Sequence, residues 1–279
     1  MGGLTFAAGE VGSAFNFDGV DDQVIVADAP SLNFGANQDF SIEAWIQPQV
    51  STTTYDLMTI MDKRNAPDVI HGIGYEIALT GGRMECRISD SILNIGTSFG
   101  AAGPDLRDGG FHHVAVTISR NSTNGGHYYV DGVAVLTFDP TVEPGDLSND
   151  QPLRIGSHPT PSVFAQFKGK IDEVSIYQRA LGAAEIQSLY AAGSGGKCVT
   201  TNLPCVAPAA GLVGWWRGES NADDWAGANA GVLQNGLGFA SGEVGQGFSL
   251  DGVNDFISVP LSASLNVGDG CQGSRLNVG

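Results

Sequence analysis

Basic residues are what this chain has least of: 13 Lys and Arg stand against 30 Asp and Glu in 279 residues, a formal charge of −17. Nucleic-acid binding rests on basic patches that neutralise phosphates, and too few cations are present to build them. No stretch reaches the roughly 18–20 consecutive apolar residues that a membrane-spanning helix needs. Acidity of this degree keeps a protein soluble, and it also suits Ca²⁺, which takes oxygen ligands from Asp and backbone carbonyls.

Cysteine is scarce, with four in all. Cys198 and Cys205 flank six residues of a polar segment containing Pro204, so a small disulfide loop is expected there. That places the protein in an oxidising, extracellular or secreted setting. A zinc pair is the weaker reading, because no Cys or His cluster supplies the remaining two ligands. Cys86 and Cys271 are left over. No leader peptide is evident, but the chain opens inside a repeat, so that says little.

The repeat is the dominant feature of what is there. Gly3–Gly35 and Gly236–Gly268 align without a gap, 233 residues apart, with 18 of 33 positions identical. Both copies carry Gly-Glu-Val-Gly and then an Asp-Gly-Val turn, at Asp18-Gly19-Val20 and Asp251-Gly252-Val253. Forty glycines separating short apolar runs indicate many turns between strands, as in an all-β sandwich. Phe40, Ile42, Ala44 and Ile46 alternate with Ser41, Glu43 and Trp45. Met84, Cys86 and Ile88 alternate with Arg83, Glu85 and Arg87 after a Gly81-Gly82 hairpin turn. Cys86 therefore reads as a small buried apolar residue. Comparing the copies places Val24 and Val26 inward and Ile25 outward, because Ser258 stands at the position of Ile25. One helix is expected, over 182–190, with Ile186, Leu189 and Tyr190 on one face and Gly193 stopping it.

Several motifs together resemble one family. Leu212-Val213-Gly214-Trp215-Trp216, Phe40 to Ile46, Phe111-His112-His113-Val114, Tyr129-Val130-Asp131-Gly132, Gly169 to Tyr177 and Arg179-Ala180-Leu181 are similar to the LamG-like (laminin G type 3) jelly-roll of the concanavalin A-like lectin/glucanase superfamily. The resemblance implies a two-sheet antiparallel jelly-roll sandwich with one short C-terminal helix. It also implies frequent bound calcium and secreted multidomain proteins that bind carbohydrate or other surfaces. Residues 1–193 would form one such domain lacking its first strand, 194–210 a linker, and 211–279 a partial second repeat. Residues 211–231 would supply the missing strand beside the last one, in cis or through a strand-swapped dimer. The tail at 269–279 follows neither copy.

Three chemistries have candidate residues. A Ca²⁺ site draws on Asp18, Asp22 and Asp172; the alternative is that Asp18 only shapes its turn. A polysaccharide or glycoconjugate site draws on Trp45, Arg64, Tyr75, Arg87, His113 and Tyr129, because sugars need an aromatic platform beside charged hydrogen-bonders. Catalysis draws on Gly96-Thr97-Ser98-Phe99-Gly100, which matches the G-x-S-x-G nucleophile elbow, with His112, His113 and Asp108 as triad partners. That elbow works between a parallel strand and a helix, and here antiparallel strands surround it. The glucanases' closely spaced acids are missing. The favoured reading is a non-catalytic binding module, and an esterase-type hydrolase using Ser98 is the alternative.

Overall fold

The computed structural model describes residues 3–51, 56–65, 71–94, 96–159, 165–197, 209–212, 214–218, 220–227, 229–241 and 246–260. The expected Cys198–Cys205 loop, Cys271, Val213, Gly242 to Gly245 and the 269–279 tail lie outside them.

The chain runs through β1 (Thr5–Ala8), β2 (Ser13–Asp18), β3 (Val24–Val26), β4 (Phe40–Pro48), β5 (Leu57–Arg64), β6 (Gly74–Thr80), β7 (Arg83–Ser89), β8 (Thr97–Ser98), β9 (His112–Ile118), β10 (Gly126–Val130), β11 (Val133–Phe138), β12 (Leu153–Ile155) and β13 (Lys168–Tyr177). Helix α1 (Ala183–Ala192) follows, then β14 (Val232–Gln234), β15 (Gly238–Ser241), β16 (Gln246–Ser249) and β17 (Phe256–Ser258). A seven-stranded sheet in the order β1-β2-β13-β4-β9-β10-β11 faces a six-stranded sheet in the order β3-β12-β5-β6-β7-β8. Every pairing is antiparallel, so the expected sandwich forms.

Period-two alternation decides which side chains meet between the sheets. Phe40, Ile42, Ala44 and Ile46 enter the core with Met84, Cys86 and Ile88, as their spacing requires. Burial raises the Cys86 thiol well above its ordinary range, consistent with an inert apolar role. Gly81 and Gly82, both at positive φ, make the β6–β7 turn, which the right-handed twist of the two strands favours. Ile25 points to solvent while Val24 and Val26 pack on the core.

The outward face of the seven-stranded sheet is not open. Helix α1 lies on it, and Ile186 and Leu189 pack with Ala115, Tyr129, Tyr177 and Leu181. Gly182 precedes the helix and its N–H donates to Glu185, satisfying one of the free donors at the helix start. Beside the helix, Lys197 reaches back to Glu43 (3.1 Å) and Glu173 (2.9 Å). Burial alone would raise Glu43, but Lys197 and His113 outweigh it and hold the carboxyl at about 2.

The two repeat copies fold alike but take different places. β1–β2 and β15–β16 are hairpins of the same register: Phe6 opposes Phe15, and Phe239 opposes Phe248. The first copy occupies the place beside β13. The second forms its own two-stranded unit, and Phe248 packs in a small cluster that includes Phe6 and Trp216. Of the strand expected within 211–231, Leu212 is the one described residue that bridges β13, opposite Tyr177, while Gln178 N–H donates to Gly211 O at 3.3 Å. Trp215 and Trp216 turn away, because Asp224 accepts from Trp215 N–H and Trp216 bridges Asp224.

Candidate binding face

The outward face of the six-stranded sheet carries a row of side chains that crosses every strand and is polar in all but β3. In register, Ile25 (β3) opposes Arg154 (β12), Arg154 opposes Asp62 (β5), Asp62 opposes Glu76 (β6), Glu76 opposes Arg87 (β7) and Arg87 opposes Ser98 (β8). Directly opposed residues share a face, so these six stand in line.

A bulge in β5 puts Asp62 in this row. The β5–β6 register shifts between Thr59 and Met61, leaving Ile60 as an extra residue. Ile60 and Met61 both reach the core, and from there Asp62 and Arg64 point outward. Without the bulge, Asp62 and Arg64 would share the inward face with Met58 and Ile60.

Arg64 is the hub of the row. Its Nη2 lies 2.5 Å from Asp62 Oδ2 and 2.8 Å from Glu76 Oε2, and its Nε also donates to Asp62. The guanidinium is 2% exposed, and both carboxylates are as deeply buried. Thr59 Oγ donates to Glu76 at 3.0 Å. The segment after β12 covers this end, with His158 Nε2 3.9 Å from Asp62. Burial pushes the Asp62 carboxyl up to about 7 against the pull of Arg64, with Glu76 adding to the rise. Asp62, Glu76 and His158 are close enough to hold a metal, but Arg64 already supplies the counter-charge there.

From Glu76 the row opens toward solvent. Arg87 lies 3.4 Å from both Glu76 and Glu85, and Ser98 Oγ donates to Glu85 Oε1 at 2.6 Å. The exposed end thus offers a guanidinium, a carboxylate and a hydroxyl, with the buried Arg64 cluster fixing Glu76 behind them.

The structure corrects most of the sequence-based sugar site. Arg64 and Arg87 come together through Glu76, but the other four residues are elsewhere. Tyr75 is in the core, its hydroxyl donating to Leu32 O. Trp45, His113 and Tyr129 do point outward, but from the opposite sheet and beneath α1: the Trp45 ring lies tilted against Tyr190, and His113 Nε2 pairs with Glu43. Asp62, Glu76 and Glu85 are the residues that sequence reasoning passed over. The alternation of Tyr75, Ile77 and Leu79 already turned Glu76 outward, which was the available signal.

The catalytic alternative loses its geometry. Ser98 is on β8 with Glu85 and Arg87 as neighbours, whereas His112 lies on the other sheet between Asp131 (2.9 Å) and Asp108 (3.1 Å). His113 is buried against Glu43. The next element after Ser98 is strand β9 rather than a helix, and no His meets its hydroxyl among the described residues.

The three metal candidates also part company. Asp18, Asp21 and Asp22 gather at the end of β2, while Asp172 lies by the turn that precedes β2. There it accepts from Val11 N–H (2.8 Å) and Glu173 N–H (2.9 Å). Asp22 Oδ2 accepts from Asp18 N–H at 2.9 Å, and Asp18 Oδ1 accepts from Val20 N–H at 2.7 Å. The second copy repeats both bonds, at 3.0 Å for Asp255 and 2.8 Å for Asp251. In each copy the other oxygen of the Asp22 or Asp255 carboxylate is buried without a partner. A buried carboxylate oxygen beside two further carboxylates has the donor chemistry of a Ca²⁺ ligand, so Asp18, Asp21 and Asp22 fit the ion and Asp172 does not.

Comparison with known proteins agrees with this architecture. The laminin G type 3 profile, described as concanavalin A-like lectin/glucanases superfamily, matches residues 18–187. No curated protein matches the chain. Among solved structures, the binding domain of Paraclostridial mosquitocidal protein 1 aligns over 67% of this chain with a TM-score of 0.52 and 19% identity. This chain covers 45% of that domain's length. The native heptameric SAP-like pentraxin from Limulus polyphemus aligns over 90% of this chain and 98% of its own, with a TM-score of 0.51 and 12% identity. Such identities establish likeness of fold alone. With the profile spanning more than half the chain and the two-sheet jelly roll in place, this protein belongs to the laminin G type 3 family of the concanavalin A-like lectin/glucanase superfamily.

Proposed function

We propose that this chain is a non-catalytic module that binds a polysaccharide or glycoconjugate along the outward face of its six-stranded sheet, in an extracellular or secreted protein. The observation that carries the reading is the in-register row Arg154–Asp62–Glu76–Arg87–Ser98, anchored by Arg64 and open at its Arg87–Glu85–Ser98 end. Sugar hydroxyls both donate and accept, so a guanidinium, a carboxylate and a hydroxyl held in fixed positions form a complementary surface. Cross-strand pairing pre-organises these groups, which lowers the entropy cost of binding. The same row argues against glycoside hydrolysis. Asp62 and Glu76 share one guanidinium and are buried, whereas a retaining pair needs carboxyls about 5–5.5 Å apart flanking a substrate.

A glycan array followed by calorimetry on the best hit tests this reading. Arg87→Ala is expected to weaken binding at least tenfold while leaving the fold intact. Absence of any glycan ligand, or full affinity in Arg87→Ala, rejects the site.

Calcium is the cofactor this reading carries, held by Asp18, Asp21 and Asp22. When bound it would satisfy the orphaned Asp22 oxygen and relieve the repulsion among three acids. Burial, reinforced by Asp18 and Asp21, raises the Asp22 carboxyl in the ion's absence. Calorimetry after chelation is expected to show Ca²⁺ uptake that Asp22→Ala abolishes; no uptake removes the ion.

A further inference from the structure

Glu85 is pinned at the open end of the outward row. Its two oxygens accept from hydroxyls on either side, Oε2 from Thr80 and Oε1 from Ser98 at 2.6 Å. Ser98 Oγ is in turn fixed by Gly100 N–H at 3.1 Å. The carboxylate cannot swing aside without giving up both bonds. Beside it, Arg87 turns Nη2 toward Glu85 Oε1 and Nη1 toward Glu76 Oε2, each at 3.4 Å. Well-formed pairs of this kind close to roughly 2.7–2.9 Å, so the guanidinium is flanked by two carboxylates and locked by neither. Arg83, the other outward cation of β7, is turned to Gly103 O and neighbours Asp105.

We propose that Glu85 sets the ligand class of this face, admitting uncharged sugars and turning away uronic, sialic and sulfated ones. The inference rests on the glycan-binding reading given above. A sugar hydroxyl can donate to Glu85 while accepting from Arg87, which the pinned carboxylate and the loosely held guanidinium together favour. A ligand carboxylate or sulfate can only accept. To reach Arg87 it must lie beside Glu85 and Glu76, and like charges brought together in an interface are penalised. Arg64 and Arg87, set against Asp62, Glu76 and Glu85, leave no spare positive charge to offset that penalty. The chain's net −17 adds repulsion at longer range. Discrimination therefore comes from a repulsive group set against the wrong ligand, and Glu85 is that group.

The test is a glycan array of neutral oligosaccharides with their acidic counterparts, followed by calorimetry of the full chain on the best-bound pair. Galacto- and galacturono-oligosaccharides, and N-acetyllactosamine with its sialylated and sulfated forms, are among the pairs. The neutral member is expected to bind at least about tenfold more tightly. Raising NaCl from about 0.05 to 0.5 M should narrow that preference, because screening weakens repulsion between exposed charges. Glu85→Gln keeps an acceptor for Thr80 and Ser98 but removes the charge, and should narrow the preference about tenfold through gained affinity for the acidic member. Arg87→Ala separates two kinds of failure. If the acidic member binds more tightly and Arg87→Ala abolishes that binding, the site stands and this inference falls. An unchanged preference in Glu85→Gln overturns it as well. If no glycan binds, or Arg87→Ala keeps full affinity, the site reading fails and takes the assignment of Glu85 with it. The wild-type comparison needs no variant, so it decides the matter even where Glu85→Gln does not fold.

Discussion

Replacing Arg64 by Met tests whether the buried charge row is a coupled electrostatic unit. Arg64 Nη2 bridges Asp62 (2.5 Å) and Glu76 (2.8 Å), and neither carboxylate has solvent to take over. Removing the cation leaves two buried, mutually repelling carboxylates, and breaking a buried pair in this way costs about 3–5 kcal/mol. For a chain of this size that corresponds to a melting-temperature drop of roughly 6–15 °C at pH 8. The cost should depend on pH in a definite direction. Burial already raises Asp62 to about 7 with Arg64 present, and losing Arg64 raises it further. A carboxyl whose folded value exceeds its unfolded one takes up a proton on folding, so its contribution falls as pH rises from about 4 through that folded value. At pH 5 the deficit should therefore shrink to about half, and Asp62→Asn added to Arg64→Met should recover about 1–2 kcal/mol at pH 8. Denaturant unfolding at pH 5 and pH 8 measures both. An equal deficit at the two pH values, or a loss under about 1 kcal/mol, would show that the row is not an electrostatic unit.

Three further outcomes are expected. Leu212→Ala should lower stability by about 1–2 kcal/mol in thermal unfolding, because Leu212 packs against the Tyr177–Ile186 cluster and bridges β13; no change would mean that residues past 210 do not support the sandwich. Asp172 is pushed up to about 7 by burial, so it contributes less stability as pH rises from about 4 to 7, and Asp172→Asn should gain relative to wild type between pH 4.5 and 7.5. A parallel response of the two proteins across that window would contradict this. Ser98→Ala should cost under about 1 kcal/mol, with neither protein hydrolysing p-nitrophenyl esters above background; hydrolysis lost only in the variant would restore the serine mechanism.

Much of the framework was readable from local pattern. Apolar residues two apart marked the inward faces of β4 and β7, glycine pairs marked hairpins, and the i, i+3, i+4 spacing of Ile186, Leu189 and Tyr190 marked α1. The repeat located two equivalent hairpins with equivalent Asp turns. The site was less readable, because alternation separates inward from outward without saying which outward face stays open. Trp45, His113 and Tyr129 face outward as their spacing requires, yet α1, which begins only at Ala183, covers them.

By itself, then, the sequence determined an all-β sandwich, its alternating faces, the helix after its last long strand and its duplicated hairpin, since each follows from spacing or composition. Tertiary structure alone decided three other matters. The bulge at Ile60 turned Asp62 and Arg64 away from the core, a one-residue shift that no periodicity announces. Sheet register aligned Arg154, Asp62, Glu76, Arg87 and Ser98, which are scattered over more than 90 residues, because opposition across strands depends on pairing rather than on distance along the chain. Competition for the place beside β13 went to the first copy of the repeat, while β16 of the second copy pairs with β15.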